Sequence, residues 1–192
     1  MYLKVLKIIN QKIIQMKKGI FLTVLISLVI TMNIGCDKLD ITKDLELEIE
    51  FAANSSNADY EDSEIFDASE NSSVIEEYGD KITNIEITEV TVWLTSFNGP
   101  EGQKIVFNAL TVADENGNGE EAICTISDQD LASLLNSPIP LTVNQAGIDR
   151  FAELIKESPH KALIKNVGSA DSSPIDFVCV FKFKVKMTAN PL

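Results

Sequence analysis

The chain has 192 residues, of which 16 are basic and 29 acidic, and its formal net charge is −13 at pH 7. This excess of carboxylates repels phosphate backbones and anionic lipid head groups, which argues against a nucleic-acid-binding protein. The length suits one domain with a core large enough to fold without a disulfide or a metal.

The segment before Cys36 differs from the rest of the chain in charge and in hydropathy. It contains five lysines and no acidic residue, and the apolar run from Ile20 to Ile30 follows Lys18. This run is shorter than the roughly 20 apolar residues that a membrane-spanning helix needs. A basic start and a short apolar core are typical of a secretory signal peptide. We therefore predict a cleaved signal in residues 1–35, with Met16 as an alternative start, and a retained N-terminal anchor helix is the competing interpretation.

The stretch "MKKGIFLTVLISLVITMNIGC" places a small residue, Gly35, directly before Cys36. Over residues 16–37 the chain resembles a bacterial lipoprotein precursor. In that family the cysteine becomes the mature N-terminus and carries acyl chains. The resemblance implies that Cys36 is lipidated and that residues 36–43 tether a domain of residues 44–192 to the membrane. More than one acyl chain makes such an anchor stable, since each buried methylene contributes roughly 0.8 kcal/mol.

Cleavage before Cys36 would make the protein more acidic. The mature chain would keep all 29 acidic residues but only 11 basic ones, because the five lysines of the signal are removed, and its formal charge would be −18. Export would also place Cys124 and Cys179 in an oxidising space. Two interpretations stay open for these cysteines, a Cys124–Cys179 disulfide and two buried, unpaired thiols.

The first predicted strand is "DLELEIEF", in which apolar and acidic residues alternate. The apolar face consists of Leu45, Leu47, Ile49 and Phe51, and the acidic face of Asp44, Glu46, Glu48 and Glu50. Such alternation predicts a half-buried strand with an acidic outer face. Residues 53–73 are predicted to be mostly loop, with a short strand in "EIFDA". Ser73 and Glu76 then form a capping box for a short helix that ends at Gly79.

The middle of the chain contains the most strand-like run, "ITNIEITEVTVWLTSF". Its apolar phase changes at Thr88–Glu89, which predicts either a β-bulge or a strand that crosses between two sheets. Two further strands flank residues 114–121 as a predicted hairpin, and a helical turn capped by Ser127 or Asp128 and a strand "IPLTV" follow. A helix is predicted after its cap, Asn144. Its apolar stripe consists of Ile148, Phe151, Ala152 and Ile155.

The last predicted strand is apolar at every odd position from Ile175 to Met187. Its opposite face consists of Lys182, Lys184 and Lys186. We predict that these lysines face the acidic side of the first strand, for example Glu48 with Lys184, if the two strands are neighbours. Together the elements predict an all-β fold, an antiparallel immunoglobulin-like β-sandwich of about seven or eight strands with one or two short helices.

The stretch "DASENSSVIEEYGDKITNIEI", the alternating C-terminal strand and the ending "TANPL" resemble a group of small lipoproteins from Bacteroidota-type bacteria. The resemblance spans much of residues 44–192 and implies fold and localisation. It supplies no catalytic or binding residues to carry over. The implied location is the outer membrane or cell surface, with a periplasm-facing domain as the alternative.

The stretch "DENGNG" is the only segment with the spacing of a metal loop. Asp114, Asn116 and Asn118 fit the first positions of a Ca²⁺ loop, but Thr125 stands where a bidentate Glu is needed. A hairpin turn is therefore the preferred interpretation, weak Ca²⁺ binding is the alternative, and no other cofactor is expected. The single histidine, His160, is predicted to be a surface residue and not a zinc ligand.

The sequence contains no nucleophile elbow and no phosphate-binding glycine loop. We therefore predict that the protein is not an enzyme and acts as a non-enzymatic binding or structural module of the cell envelope. Its partners would be the membrane, through the lipid anchor, and an envelope protein or a glycan. Two alternatives are a carboxylate-based hydrolase and a carrier of a small apolar ligand. The carrier pocket would be lined by aromatic residues that are otherwise core residues, namely Trp93, Phe97, Phe107 and Phe151.

Overall fold

Two antiparallel sheets account for most of the described structure. The computed structural model describes residues 39–192, so the predicted signal peptide, the lipidation site Cys36 and the start of the predicted tether lie outside the described residues. The strands are β1 (Ile41–Ser55), β2 (Asp59–Asp67), β3 (Ile82–Phe97), β4 (Lys104–Ala113), β5 (Glu121–Ile126), β6 (Gln129–Asp130), β7 (Ile139–Pro140), β8 (Lys161–Ala170) and β9 (Ile175–Ala189). The helices are α1 (Ala68–Asn71), α2 (Ser73–Tyr78) and α3 (Gln145–Lys156), with 3-10 turns at Gly79–Lys81 and Ala132–Leu134. Within this part of the chain, no helix is long and apolar enough to cross a bilayer.

The strand order is that of a jelly roll. The front sheet has the order β1-β9-β3-β7, and the back sheet has the order β2-β8-β4-β5, with β6 beside β4. Leaving out the two-residue β6, the first strand pairs with the last, the second with the seventh, the third with the sixth and the fourth with the fifth. A long antiparallel ribbon rolled onto itself has this connectivity. The predicted antiparallel β-sandwich is confirmed, and its likeness to immunoglobulin domains extends to the two-layer architecture and not to the connectivity.

The longest pairing in the front sheet joins β1 to β9, so the condition for contact between their charged faces is met. Glu48 lies opposite Lys182 and Glu46 opposite Lys184 on the outer face, while Phe51 lies opposite Cys179 on the inner face. The predicted neighbourhood of the acidic and basic faces is therefore confirmed. The predicted bulge is confirmed as well, because the register between β3 and β9 shifts between Ile87 and Glu89.

The core lies between the sheets and beneath α3. The Phe151 ring of α3 packs edge-on against Phe183 of β9 at 4.9 Å and against Phe66 of β2 at 5.8 Å between ring centroids. Asn144 caps this helix as predicted, because its Oδ1 accepts the Ala146 N–H at 3.1 Å. The helix approaches the back sheet closely at Gly147, where a Cβ would collide with the carbonyl of Ala122 on β5.

Several predicted boundaries were wrong. β1 begins at Ile41, inside the predicted tether of residues 36–43, and the acidic stretch 53–73 contains the nine-residue strand β2 instead of mostly loop. The cap of α2 is Ser72, one residue before the predicted Ser73. The 3-10 turn after β6 begins after Leu131 and not at the predicted caps Ser127 or Asp128, and the Asp130 carboxylate accepts the Ser133 N–H.

Candidate functional site

The predicted Ca²⁺ loop forms the hairpin turn between β4 and β5. The Asp114 Oδ1 atom accepts the N–H groups of Asn116 at 2.9 Å and Asn118 at 2.8 Å. Hydrogen bonding from Asn118 holds the pKa of Asp114 below its ordinary value. The Asp114 carboxylate is thus used within the turn. In residues 39–192, no group of three or more His, Cys, Asp or Glu side chains is arranged to hold a metal ion.

The prediction of a surface position for His160 is wrong. The side chain is only 8% exposed, and its Nδ1 atom lies 3.0 Å from the Ile155 carbonyl oxygen at the end of α3. The His160 carbonyl accepts the Ala68 N–H at 2.9 Å, which joins the α3–β8 connection to α1. His160 therefore supports the packing of two connections and does not face a surface site.

Cys124 and Cys179 are buried free thiols on opposite sheets. Cys124 lies on β5 of the back sheet and Cys179 on β9 of the front sheet, and they form no disulfide. Burial raises the pKa of both thiols to about 12. Buried thiols with raised pKa values are poor nucleophiles, so neither cysteine is a candidate catalytic group.

A small void lies between the sheets, beside a cluster of buried polar side chains. Asn108 donates through Nδ2 to the Tyr60 hydroxyl at 3.0 Å and to Asn166 Oδ1 at 2.5 Å, which forms a buried polar cluster. Burial raises the pKa of Tyr60. The void beside this cluster measures about 10 Å³. That is space for about one water molecule, whereas ligand sites measure roughly 300–1,000 Å³.

The four aromatic residues of the predicted carrier pocket do not meet. Phe151 is fully buried in the core, and Trp93 lies on the outer face of the front sheet, where Lys182 Nζ is 5.6 Å from the ring centroid. Phe107 lies on the outer face of the back sheet and is 47% exposed, and Phe97, at the end of β3, is half-buried against the core. The structure therefore separates these rings into the core and two opposite surfaces.

The outer face of the front sheet neutralises part of its negative charge, whereas Asp44, Glu50 and Glu86 on this face form no ion pair among the described residues. Lys182 Nζ lies 3.0 Å from Glu46 and 2.9 Å from Glu48, and Lys184 Nζ lies 3.0 Å from Glu89. The hydrogen bonds from Glu48 and Glu46 raise the pKa of Lys182. A depression of about 560 Å³ has Asp44, Glu46 and Lys184 in its lining, and of these Glu46 and Lys184 are engaged in ion pairs.

The outer face of the back sheet contains an open groove around Phe107. Side chains of the neighbouring strands β2, β8 and β4 line this groove in two rows. Asp59, Ser169 and Phe107 lie opposite one another in the first row. Glu61, Val167 and Ala109 lie in the next row. The groove measures about 430 Å³ and is hereafter called the Phe107 groove. Its lining residues are Asp59, Tyr60, Glu61, Phe107, Val167, Gly168 and Ser169.

A β-bulge exposes the aromatic ring of this groove. The register between β4 and β8 shifts between Ile105 and Phe107, so the alternation of the strand is interrupted there. As a result two consecutive side chains are about half exposed, Val106 at 49% and Phe107 at 47%. A bulge that re-aims a side chain is common next to binding sites. The three consecutive apolar residues Ile105, Val106 and Phe107 were the sequence signal for this irregularity, because a regular half-buried strand would alternate.

The groove has carboxylates that the fold does not neutralise. At the opposite end of the back sheet, Lys161 Nζ lies 3.0 Å from Asp67, and Lys165 Nζ lies 3.2 Å from Glu120. Burial alone would raise the pKa of Asp67, but the hydrogen bonds from Lys161 and from the first turn of α1 outweigh burial, and the pKa is lowered. Among the described residues, no cation lies within ion-pair distance of Asp59 or Glu61.

No family profile and no curated protein matches the chain. Among solved structures, a chain of tobacco necrosis virus is 14% identical with a TM-score of 0.42, and the match covers 79% of this chain and 97% of that chain. A chain of the empty head of turnip yellow mosaic virus is 12% identical with a TM-score of 0.40, covering 82% and 85%. The capsid protein of BFDV is 12% identical with a TM-score of 0.34, covering 77% and 98%. Since all three TM-scores are below 0.5, these likenesses support no conclusion about the function of this chain.

Proposed function

We propose that the protein is a lipid-anchored, non-enzymatic binding module of the cell envelope and that its ligand occupies the Phe107 groove. The observation that supports this proposal is an exposed aromatic ring on a strand of a rigid sheet, flanked by Asp59 and Glu61. Aromatic side chains on rigid elements are typical anchors of binding surfaces because little conformational entropy is lost when they are covered.

The anchor part of the proposal depends on residues 16–37. The basic start, the short apolar core and the Gly35–Cys36 pair favour a lipoprotein signal. Cys36 precedes the first residue of β1, Ile41, by five positions, so the chain between them spans at most about 18 Å. Such a tether would keep the domain close to the surface of the outer membrane, with the periplasm-facing orientation as the alternative.

The interior of the sandwich favours this function over a carrier of a small apolar ligand. A carrier needs a continuous apolar cavity of some hundreds of Å³. The void beside Asn108 measures about 10 Å³ and has polar groups in its lining. The surface groove has a suitable size, about 430 Å³, but it is open and acidic.

The arrangement of the groove carboxylates favours binding over hydrolysis. A glycosidase places its two carboxylates on opposite sides of the scissile bond. Asp59 and Glu61 are side by side on β2 and form one wall of the Phe107 groove, whereas the opposite wall has the ring of Phe107. This geometry suits a bound ligand that contacts an aromatic wall and an acidic wall.

A capture experiment tests the binding function. The full chain, immobilised on lipid vesicles, would be incubated with envelope extract, and the retained proteins and glycans would be quantified. We expect Phe107→Ala to lose the specifically retained material. The matched control is Leu135→Ala, because Leu135 is also exposed but lies outside the groove. Equal retention by the wild type and Phe107→Ala would contradict the proposal.

Mass spectrometry of the mature N-terminus tests the anchor. We expect a chain that begins at Cys36 with a mass increment for acyl chains, and Cys36→Ser should remain unacylated. Detection of an intact N-terminus at Met1 or Met16 in membrane-extracted protein would contradict lipidation.

A further inference from the structure

We propose that the Phe107 groove takes a basic peptide segment, with an arginine or lysine side chain between the Phe107 ring and the carboxylates of Asp59 and Glu61. This inference rests on the proposed binding function and names the class of ligand. It follows from the charges on β2, from the chemistry of the neighbouring strand and from the dimensions of the groove.

The strand β2 is strongly acidic. Five of its nine residues carry a carboxylate and none is basic; they are Asp59, Glu61, Asp62, Glu64 and Asp67. Asp62 uses its carboxylate within the fold, where its Oδ2 accepts the Ala52 N–H of β1 at 3.2 Å. Asp67 is neutralised by Lys161. Glu64 lies opposite Ile164 on the inward side of the strand, so Asp59 and Glu61 are the outward carboxylates that are left for a partner.

The strand β8 shows why the charge is unmatched at this end. Its outward positions are Lys161, Leu163, Lys165, Val167 and Ser169. The lysines stand at the end that faces Asp67, and the positions opposite Glu61 and Asp59 are Val167 and Ser169. Lys161 supplies the positive charge that pairs with Asp67 at one end of β2. A positively charged ligand would supply the corresponding charge for Asp59 and Glu61 at the other end, which is charge complementarity between a surface and its partner.

The groove also provides a wall for the apolar part of such a side chain. Asp59 and Phe107 stand two strands apart, which is roughly 10 Å at the usual strand spacing. Arginine and lysine have an apolar stem that covers apolar surface while the charged end stays in a polar environment. Over Val167 the stem would be shielded from water, and the cation would be attracted both by the ring face and by the carboxylates.

A neutral glycan fits these walls less well. Sugar rings stack on aromatic faces and donate hydrogen bonds to carboxylates, but they carry no countercharge for Asp59 and Glu61. Covering two ionised carboxylates without a cation costs free energy because the charges lose water. A basic segment offsets that cost, which is why the unmatched charges favour it.

The test uses a hexa-arginine peptide and maltohexaose as probes. Each would be titrated into the isotope-labelled full chain in an uncharged detergent, with amide chemical shifts locating the contact and calorimetry giving the affinity. We expect the peptide to shift the amides of residues 59–61, 107 and 167–169, and its affinity to fall as salt is raised. Maltohexaose should leave these amides unchanged.

Two charge variants separate the groove from the general negative charge of the protein. Asp59→Asn/Glu61→Gln should weaken peptide binding about tenfold, since two charge-assisted contacts are lost. The matched control is Glu76→Gln/Glu77→Gln, which removes the same charge from two exposed residues of α2. The control should change the affinity less than about twofold. Equal weakening by both pairs would overturn the inference.

Two ring variants test the aromatic wall. Phe107→Ala should weaken peptide binding about fivefold, and Phe107→Tyr should retain the wild-type affinity because it keeps the ring face. Circular dichroism and urea unfolding of each variant would establish that it is folded. A Phe107→Ala variant that is folded and binds the peptide like the wild type would overturn the aromatic part of the site.

The outcomes distinguish the ligand class from the binding function. If maltohexaose shifts the groove amides and the peptide does not, the basic ligand is wrong while the binding module stands. If Phe107→Ala abolishes envelope capture but hexa-arginine does not bind, the ligand class is again overturned and the function is kept. If the peptide binds the groove but envelope capture does not depend on Phe107, the proposed function fails.

Discussion

The outer faces of the two sheets both have an acidic edge strand, but they differ in the cations that the neighbouring strand supplies. Each sheet has an acidic edge strand, β1 in the front sheet and β2 in the back sheet, and several carboxylates of each strand point outward. In the front sheet the neighbouring strand β9 supplies Lys182 and Lys184, which form ion pairs with Glu46, Glu48 and Glu89. In the back sheet the neighbouring strand β8 supplies lysines at one end only, and the Phe107 groove occupies the other.

This comparison shows that the neighbouring strand determines how much of the negative charge of an acidic strand stays unpaired on the surface. Exposed ion pairs contribute little to stability, about 0–1 kcal/mol each, so the lysines of the front sheet matter less for folding than for removing surface charge. A face whose charge is partly neutralised in this way attracts cationic partners less strongly than an unpaired acidic face. The back sheet keeps its attraction where Val167 and Ser169 replace lysines.

The largest expected effect is a loss of stability from a substitution in the back sheet, which leaves the front sheet unchanged. Gly168 on β8 lies directly beside the Tyr60 hydroxyl and the Phe107 carbonyl, and a Cβ there would collide with both. We expect Gly168→Ala to lower the free energy of unfolding by about 1–3 kcal/mol, since the polar cluster and the β4 backbone must both shift. Urea unfolding measures this change. The adjacent Ser169→Ala is the control and should stay within about 0.5 kcal/mol of the wild type; an unchanged Gly168→Ala would contradict the close packing.

The second effect is a weaker binding of the basic peptide when a lysine is placed opposite Glu61, as in the front sheet a lysine lies opposite Glu48. Val167 lies opposite Glu61, as Lys182 lies opposite Glu48. We expect Val167→Lys to neutralise the groove and to weaken hexa-arginine binding about tenfold, because the introduced ammonium competes for the carboxylate. Val167→Thr, which changes the shape little and adds no charge, is the control. Similar affinities of Val167→Lys and Val167→Thr for hexa-arginine would contradict the claim that the unpaired carboxylates attract the peptide.

The third effect sharpens the description of the front face. The sequence-based pairing of Glu48 with Lys184 is wrong, because Glu48 contacts Lys182 and Lys184 contacts Glu89. A double-mutant cycle on Glu48 and Lys182 should therefore give a coupling of about 0.2–1 kcal/mol. The same cycle on Glu48 and Lys184 should give a coupling near zero. Thermal or urea unfolding measures both, and the reverse order of the two couplings would contradict the register.

The smallest effect concerns an acid of the back sheet without a cation. Burial, followed by the charges of Asp62 and Glu50, raises the pKa of Glu64 above its ordinary value of 4.5. The ionised form is thus disfavoured in the folded state, and this cost is present above the raised pKa and absent below 4.5, where both states are protonated.

We therefore expect Glu64→Gln to stabilise the protein at pH 7 by up to about 0.5 kcal/mol, since Glu64 is largely exposed and water screens its charge. The gain should disappear as the pH falls below the ordinary value. Glu46→Gln on the front face is the control, and it should lower the free energy of unfolding at pH 7, because the substitution removes the ion pair with Lys182. Unfolding curves at pH 7 and pH 4 measure both variants, and a destabilised Glu64→Gln at pH 7 would contradict the account.

Local periodicity was enough to predict several elements. The strict alternation of β1 and β9 predicted both strands, because side chains of a strand point to opposite faces in turn, whereas their pairing was only a condition of the proposed charge contact. The phase change at Thr88–Glu89 predicted the bulge in β3, and Asn144 with its apolar stripe predicted α3. These features depend on residues that are close in sequence, so neighbouring positions carry the whole signal.

The prediction failed where contacts distant in sequence override the local pattern. The strand β2 looked like loop because its inward positions include Asp62 and Glu64, which are tolerated at the open edge between β1 and β2, where Asp62 accepts the Ala52 N–H. His160 looked like a surface residue, yet the meeting of α1 with the α3–β8 connection buries it.

The sequence by itself determined an antiparallel β-sandwich with an acidic surface, since alternation and net charge are properties of the chain. Only the tertiary structure decided that the sandwich is a jelly roll, because strand order depends on which distant strands meet. Only the tertiary structure, too, decided where charge remains unmatched. The pairing of β2 with β8 sets Val167 and Ser169 opposite two carboxylates, and the bulge in β4 turns Phe107 outward beside them.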